Sequence, residues 1–389
     1  MKRHQTGQFE NTSIGEETVR AFIPNPLPPK DDLDMRFLQH SLDSAYFALG
    51  QLNSITNYFT DPWLFIYVFI RKEAVLSSRI EGMRSTLSEL IQYELTQITG
   101  VVADDVVEVS NYVSALEHGF RRMREDDFPL CNRLIREVHD KLLSSGRESI
   151  QSPGEFRRSQ NWIGGTRPGN AHFVPPPVHH IDKCMSDLEL YIQSENRDHS
   201  ALIRAGLSHV QFETIHPFLD GNGRVGRLLI TLQLFHEGYL KEPLLYLSWH
   251  FKTHRSDYYS LLNNVRQQGD WEEWLKFFLD GITNTSNNVV SVTKKLDSLF
   301  RNDENTIRNF GRYKSSALTV HQELQKHPIS TIKAIAEQAH LSIPAVSNGM
   351  SALEQLGIAR EVTNEPNTCL LYTSPSPRDR TRSRMPSSA

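Results

Sequence analysis

The sequence predicts a mainly α protein with one small β-hairpin flap and a C-terminal winged helix. Three observations predict it. Apolar residues recur at helical spacing over most of the chain, glycine and proline crowd into residues 154–177, and residues 331–357 read as helix, tight turn, helix and glycine stop. At 389 residues there is room for two or three domains and a sizeable core.

The first thirty residues are polar and end in Phe22-Ile-Pro-Asn-Pro-Leu-Pro-Pro-Lys30, whose four prolines predict an extended arm. From Asp32 an N-terminal helical segment begins, with Leu33, Phe37, Leu38 and Leu42 on one broad face. A second helix is predicted over 63–79. A third follows from Thr86, with Leu87, Leu90, Ile91 and Leu95 on one face, and 104–122 and 132–144 give two more. Within 154–177, Gly164-Gly165, Pro168-Gly169 and Pro175-Pro-Pro177 punctuate the short runs Trp162-Ile163 and His172-Phe173-Val174, which predicts the flap. Helices resume near Ile181 and continue over 200–214, 224–238, 256–268 and 271–284. Residues 283–305 are polar and predict a separate connecting helix. In the last segment a turn at 340–343 separates two helices, and Ile358-Ala-Arg-Glu-Val362 would begin the wing.

Residues 369–389 break from this pattern. They lack periodicity, are rich in Ser, Pro and Arg, and over 369–379 match one translated frame of a common sequencing adapter. They are therefore read as foreign, with the natural C-terminus expected to be missing. The formal charge is −4, and removing the four Arg and one Asp of this tail leaves −7, which argues against a chain devoted to nucleic acid. Three widely spaced cysteines without a CxxC argue against a disulfide framework and a zinc site. With no signal peptide and no apolar run long enough for a membrane span, the expectation is a soluble, cytoplasmic protein.

The chemistry concentrates in His216-Pro-Phe-Leu-Asp-Gly-Asn-Gly-Arg-Val-Gly-Arg227. Gly221, Asn222 and Gly223 lie between two predicted helices, where consecutive backbone N–H groups can form an anion nest. The following helix adds its positive N-terminal dipole, about half a charge. Arg224 and Arg227 sit in its first turn, against that dipole, and an anionic ligand would remove the conflict. Asp220 suits Mg²⁺, which binds through one or two carboxylates plus phosphates. His216, four residues earlier, has the ordinary pKa of a general base. Each residue alone is ordinary; together they describe a polyphosphate and its metal beside a base that activates a hydroxyl.

This stretch resembles the signature of the Fic family at every position. The resemblance implies a Fic helical core and a protein adenylyltransferase that moves AMP from ATP to a Tyr, Thr or Ser hydroxyl of a target protein. It implies His216 as base, Asp220 on Mg²⁺, and Gly221, Asn222, Gly223, Arg224, Val225, Gly226 and Arg227 around the nucleotide. A subfamily with lysine in place of the second glycine transfers phosphate instead; Gly223 favours nucleotidyl transfer. Ser159-Gln-Asn-Trp-Ile-Gly-Gly165 and Ala171-His-Phe-Val-Pro-Pro-Pro177 resemble the family's target-clamping flap. Of Tyr258 and Tyr259, Tyr259 is chosen as the adenine or ribose contact. Ser77-Ser-Arg-Ile-Glu-Gly82 resembles the inhibitory motif, which implies an ion pair of Glu81 with Arg227 that competes with the γ-phosphate. In some relatives the same Glu supports AMP removal, so de-AMPylation stands beside auto-modification as an expected activity.

The expected organisation is an N-terminal helical region with the inhibitory motif over 1–104, a catalytic core over 105–285, a linker helix and winged helix over 286–368, and the tail. The alternatives are a Fic-like nucleotide-sensing, DNA-binding transcriptional regulator and a phosphotransferase on the same scaffold. DNA binding is weakly supported: Lys333 and Arg360 are the only cations between Thr331 and Val362, opposed by Glu337, Glu354 and Glu361. A homodimer is left open, and no membrane partner is expected.

Overall fold

The computed structural model describes residues 5–55, 63–96, 104–146, 152–194, 198–311, 313–361 and 369–371. The protein is mainly α, as its periodicity predicts. Two compact units divide it: Met1–Ile55, Ile66–Leu90 and Thr99–Val289 form the first, and Thr56–Phe65, Ile91–Ile98 and Val290–Ala389 the second.

The first unit opens with a correction. The expected extended arm is an antiparallel hairpin of β1 (Gly7–Ile14) and β2 (Glu17–Pro24), with Gly15 at φ +61° in the turn. The prolines begin where β2 ends, so they do not interrupt the pairing. Val19, Ala21, Phe22 and Ile23 are all buried, which gives the hairpin an apolar reason to stay.

Asp34 caps α1 (Met35–Ser54): its Oδ1 accepts from the N–H groups of Arg36 and Phe37 at 3.1 Å each. α2 (Trp63–Ile80) and α3 (Leu87–Thr96) follow, the latter opened by a capping box in which Thr86 and Glu89 bond reciprocally. α4 (Asp104–Glu125), α5 (Asn132–Leu142), α6 (Val178–Gln193), α7 (Ala201–Ile215) and α8 (Asn222–His236) form the body. Every residue of α7 is buried, so it is the central helix, packed between α6 and α8. α9 (Ser248–Thr253), too short to show a period, and α10 (Arg255–Gln268) complete this body.

Two further expectations change. The helices predicted over 271–284 and 283–305 are one 38-residue helix, α11 (Trp271–Arg308). Its polar middle continues because one side of it is buried: Ile282, Thr285, Ser286 and Val289 are all inaccessible, and Thr283 Oγ1 and Thr285 Oγ1 donate to Leu279 O at 3.0 Å and Gly281 O at 2.6 Å. The flap is slighter than a hairpin, with one bridge, Ile163 to Phe173, around a 3-10 turn at Pro168–Asn170.

In the second unit, α12 (Lys314–Lys326), which the sequence reading did not separate, precedes β3 (Ile329–Thr331), α13 (Ile332–Gln338), α14 (Ile343–Gln355), β4 (Arg360–Glu361) and β5 (Cys369–Leu371). The sheet order is β3-β5-β4, all antiparallel. Thr331 and Ser342 cap the two short helices, and Val320, Leu324, Ile335, Val346 and Leu353 form their core. β5 consists of the first three residues of the segment read as foreign. Residues 362–368 of the predicted wing and 372–389 of the tail lie outside the described residues. Among the described residues, no helix is long and apolar enough to cross a membrane.

Candidate active site

The site is built at the turn from α7 to α8. His216 ends α7 in the left-handed region, φ 50° and ψ 59°, a conformation non-glycine residues seldom adopt outside constrained sites. The constraint comes from distant parts of the chain. Arg157, buried, donates from Nε to His216 O at 3.0 Å and from its backbone N–H to Pro217 O at 2.8 Å. Its Nη2 reaches Pro176 O at 2.5 Å, tying the turn to the end of the flap. Asn161 Nδ2 donates to Phe218 O at 3.0 Å. His139 stacks on Phe218 with ring centroids 3.7 Å apart. Its Nδ1 accepts from Gly154 N–H at 2.9 Å, which leaves Nε2–H to donate to Asp220 O at 3.1 Å. Arg157 and His139 are residues that sequence reading missed, and Asn161 was singled out there only as part of the flap. Nothing in the local pattern points these three at the turn; the fold brings them to it.

A cleft of about 530 Å³ opens here, lined by His216, Asp220, Gly221, Asn222, Gly223 and Arg224 from the motif and by Glu81 and Arg84 opposite. Gly221 is the left-handed N-cap of α8 at φ 73°. Asn222 and Gly223 therefore lie inside the first turn of α8, two residues earlier than predicted, where N–H groups have no intrahelical acceptor. The Asn222 side chain is committed to shape: Oδ1 accepts from Phe218 N–H and Nδ2 donates to Phe218 O, both at 2.8 Å. What it offers the cleft is backbone. Asp220 is 47% exposed, and its Oδ1 accepts from Gly221 N–H at 2.6 Å. A half-exposed hard oxygen donor beside an anion nest fits Mg²⁺, whose other ligands are usually waters and phosphate oxygens. Arg224 is buried, with Nη2 3.9 Å from Asp220 Oδ1.

Val225 and Gly226 do not reach the cleft. Val225 is in the core, and Gly226 is where α8 crosses α7: an added Cβ would run into Glu213 Oε1 and lie 3.1 Å from Phe212 Cδ1. Tyr258 is buried, with its hydroxyl 2.8 Å from His209 Nε2; His209 Nδ1 lies 2.9 Å from Gly226 O, so Nδ1 donates there and Nε2 accepts from the tyrosine. Tyr259, the residue chosen from sequence, is the exposed one of the pair at 40%, and it does not line the cleft.

Arg227 faces Glu81. Its Nη2 lies 2.7 Å from Glu81 Oε1, its Nε donates to Ser77 Oγ at 2.7 Å, and Nη2 also reaches Ser77 O at 3.2 Å. Burial opposes the Glu81 charge, but Arg227 outweighs it and holds the carboxyl below its usual range. On Arg227 burial is likewise outweighed, chiefly by Glu81, and its pKa is raised. Gly223 lies between them: a Cβ there would strike Glu81 Oε1 and come within 3.0 Å of Arg227 Nη1.

The surrounding field keeps His216 neutral. Burial, then the charges of Arg266 and Arg157, push it down to about 3, well below the ordinary value that sequence alone implied. Beneath the turn, burial raises Glu213 to about 7, against the pull of Arg227. The arrangement can do three things: hold an anion at the α8 N-terminus, present a neutral imidazole beside it, and keep one buried arginine paired with a partly exposed carboxylate.

Two segments of the chain match known protein families. Residues 39–121 match the Fic/DOC family N-terminal profile, and residues 129–234 match the Fic/DOC family profile. The chain is 28% identical over 221 residues to "Protein adenylyltransferase Fic" of Culex quinquefasciatus and 32% identical over 221 residues to that of Aedes aegypti. Each match covers 56% of this chain and 41% of the relative, so the match spans about two fifths of the curated relatives' length. In fold it is similar to a Fic family protein from Desulfovibrio desulfuricans G20, with a TM-score of 0.58 at 19% identity, covering 90% of this chain and 99% of that one. Carrying both matched segments and the cleft that the motif builds, the chain belongs to the Fic/DOC family.

Proposed function

We propose that this chain transfers AMP from ATP to a tyrosine, threonine or serine hydroxyl of a protein, and that Glu81 restrains it. The observation that carries the proposal is the convergence of His216, Asp220 and the α8 N-terminus on one cleft, with Glu81 at its wall. Names of relatives at 28% and 32% identity point to the same reaction class.

His216 accepts the proton of the target hydroxyl through its neutral imidazole. The hydroxyl oxygen then bonds to the α-phosphorus in line with the departing diphosphate. The first N–H groups of α8 and Arg224 neutralise the charge that builds on the phosphates. An anionic polyphosphate in the cleft offsets Arg266 and Arg157 and brings the His216 basicity back up. Asp220 holds Mg²⁺, which when bound supplies further neutralisation of the phosphate charge. Arg227, once Glu81 releases it, takes the terminal phosphate. The flap offers strand edges for the target backbone, and Tyr259, outside the cleft wall but within the field of Glu81 and Arg227, meets the base or ribose where the nucleotide extends past the cleft.

The test uses ATP labelled at the α or at the γ position, with the chain as its own acceptor. Label from the α position, lost in His216→Ala, is the expected result. Label from the γ position alone would mean phosphoryl transfer, and labelling that survives His216→Ala would remove the histidine from the mechanism.

A further inference from the structure

A second cluster lies outside the cleft, where β1 meets the start of α6. Glu10 on β1 faces two successive histidines of the first turn of α6. Its Oε1 is 3.2 Å from His179 Nε2 and its Oε2 is 3.0 Å from His180 Nε2. The two imidazole rings lie 4.3 Å apart, and one ligand atom from each of the three residues falls within 4.8 Å of the others. None of the three lines the cleft.

The chemistry of this set is specific. Two imidazole nitrogens and one carboxylate are the ligands of zinc sites that keep an open position, and imidazole also suits nickel, cobalt and copper. Mg²⁺ and Ca²⁺ prefer oxygen, so the cluster does not duplicate the role assigned to Asp220. The spacing fits as well. Metal–ligand bonds of about 2.0–2.1 Å in a tetrahedron put neighbouring ligand atoms roughly 3.3 Å apart. The gaps of 3.2 Å and 3.0 Å, each to a different oxygen of Glu10, are close to that edge, and the three ligand atoms lie within 4.8 Å of one another, so a shift of roughly 1–2 Å gathers them around one ion. The side chains are also reachable: His179 is 66% exposed, Glu10 40% and His180 29%.

We propose that Glu10, His179 and His180 bind a divalent transition-metal ion, with Zn²⁺ the best fit, and that the ion staples the N-terminal hairpin to α6. Water completes the coordination on the exposed side. The staple acts on more than the hairpin. Phe22 N–H of β2 donates to Val174 O of the flap at 2.9 Å, and Val19 and Ala21 pack on Val174. Glu17, in β2, pairs with Arg167 at 2.7 Å and accepts from Gly169 N–H at 2.5 Å, both in the flap. A metal that fixes β1 on α6 therefore steadies the element that braces the flap.

The experiment uses the full chain, free of any affinity tag and with its thiols alkylated so that cysteine cannot supply ligands. Co²⁺ is added as the spectroscopic probe and Zn²⁺ as its competitor. One equivalent of Co²⁺ should bind with the visible absorption of a low-coordinate site, and Zn²⁺ should displace it. Glu10→Gln and the double variant His179→Ala/His180→Ala should each weaken binding by roughly tenfold or more. Circular dichroism identical to wild type would establish that these surface variants are folded. Hydrogen exchange of residues 7–24 should slow with Zn²⁺ in the wild type and not in the double variant. No saturable binding up to millimolar metal, or equal binding by wild type and the double variant, would overturn the site. Binding without slower exchange in the hairpin would overturn the staple.

Discussion

Replacing Glu81 tests the proposed restraint directly, and the structure sets its size. Arg227 is 3% exposed and keeps two bonds to Ser77 when Glu81 is removed. Breaking a fully buried pair costs about 3–5 kcal/mol, whereas an exposed pair contributes at most about 1 kcal/mol. Glu81 keeps 36% exposure of its side chain. The pair therefore lies between these limits, at about 1–2 kcal/mol. Glu81→Gly should lose that much stability without nucleotide. With ATP the sign reverses, because wild type must give up the pair before Arg227 meets a phosphate and the variant need not. The same 1–2 kcal/mol becomes a gain of roughly 5–30-fold in productive ATP occupancy. Glu81→Gln, which keeps an acceptor and loses the charge, should fall between. The assay is auto-modification with α-labelled ATP, paired with thermal melting of the nucleotide-free protein. Equal labelling of wild type and Glu81→Gly would refute the restraint. The pH dependence has a fixed sign as well. Arg227 holds the folded Glu81 below its unfolded value near 4.5, so the pair's contribution is present above pH 4.5 and fades only below it. Acidification within the neutral range should not release the site.

Tyr258→Phe should cost about 1–3 kcal/mol in urea unfolding, because His209 Nε2 loses its buried donor. Tyr259→Phe should cost under about 0.5 kcal/mol, whereas Tyr259→Ala should raise the KM for ATP and leave stability alone. Gly223→Ala should displace Glu81 from Arg227, so its stability cost should shrink in a Glu81→Gly background; additive costs in that double-mutant cycle would show that the two positions do not meet. Burial holds His139, His209, His216 and His250 down to about 4, 3, 3 and 4. Their stabilising contribution, complete above pH 6.5, is lost as the pH falls below it, while Glu213, raised to about 7, regains some over the same range. From pH 7.5 to 5.5 these five groups together give a loss of roughly 3–4 kcal/mol, which Glu73, also raised by burial, reduces; the expected readout is a lower Tm, and a higher Tm at pH 5.5 would show that these imidazoles are not held neutral.

What was legible in the sequence was local. The cleft's own residues lie within a few positions of each other, and the nest, the dipole and the carboxylate could be argued from spacing alone. Glu81 needed more, since 146 positions separate it from Arg227, and it was found through its motif. Arg157 and His139 carried no such mark, and Asn161 was marked only as part of the flap, although all three hold the turn in place. The hairpin of β1 and β2 was hidden because one proline ends it and three more follow, which weighs on the reading of the segment before them. The length of α11 was hidden because polar residues read as a break, while in the fold Thr285 and Ser286 are buried beside Ile282 and Val289.

The motif itself divides into two sets of residues with different duties. His216, Asp220, Gly223 and Arg224 line the cleft, so a ligand meets them. Val225 and Gly226 face inward, and the Asn222 side chain is spent on Phe218. Arg227 belongs to neither set alone. It lies behind Gly223, in reach of Glu81 on one side and of the buried Ser77 on the other. A residue at 223 large enough to bear a Cβ would press on the Glu81 carboxylate and the Arg227 guanidinium together. Gly223 therefore has a reason to be glycine that is separate from phosphate binding: without its open space, the carboxylate could not reach the arginine across the first turn of α8. Glu81 and the first turn of α8 line one cleft, and the proposed competition between Glu81 and ATP is a consequence of that shared space.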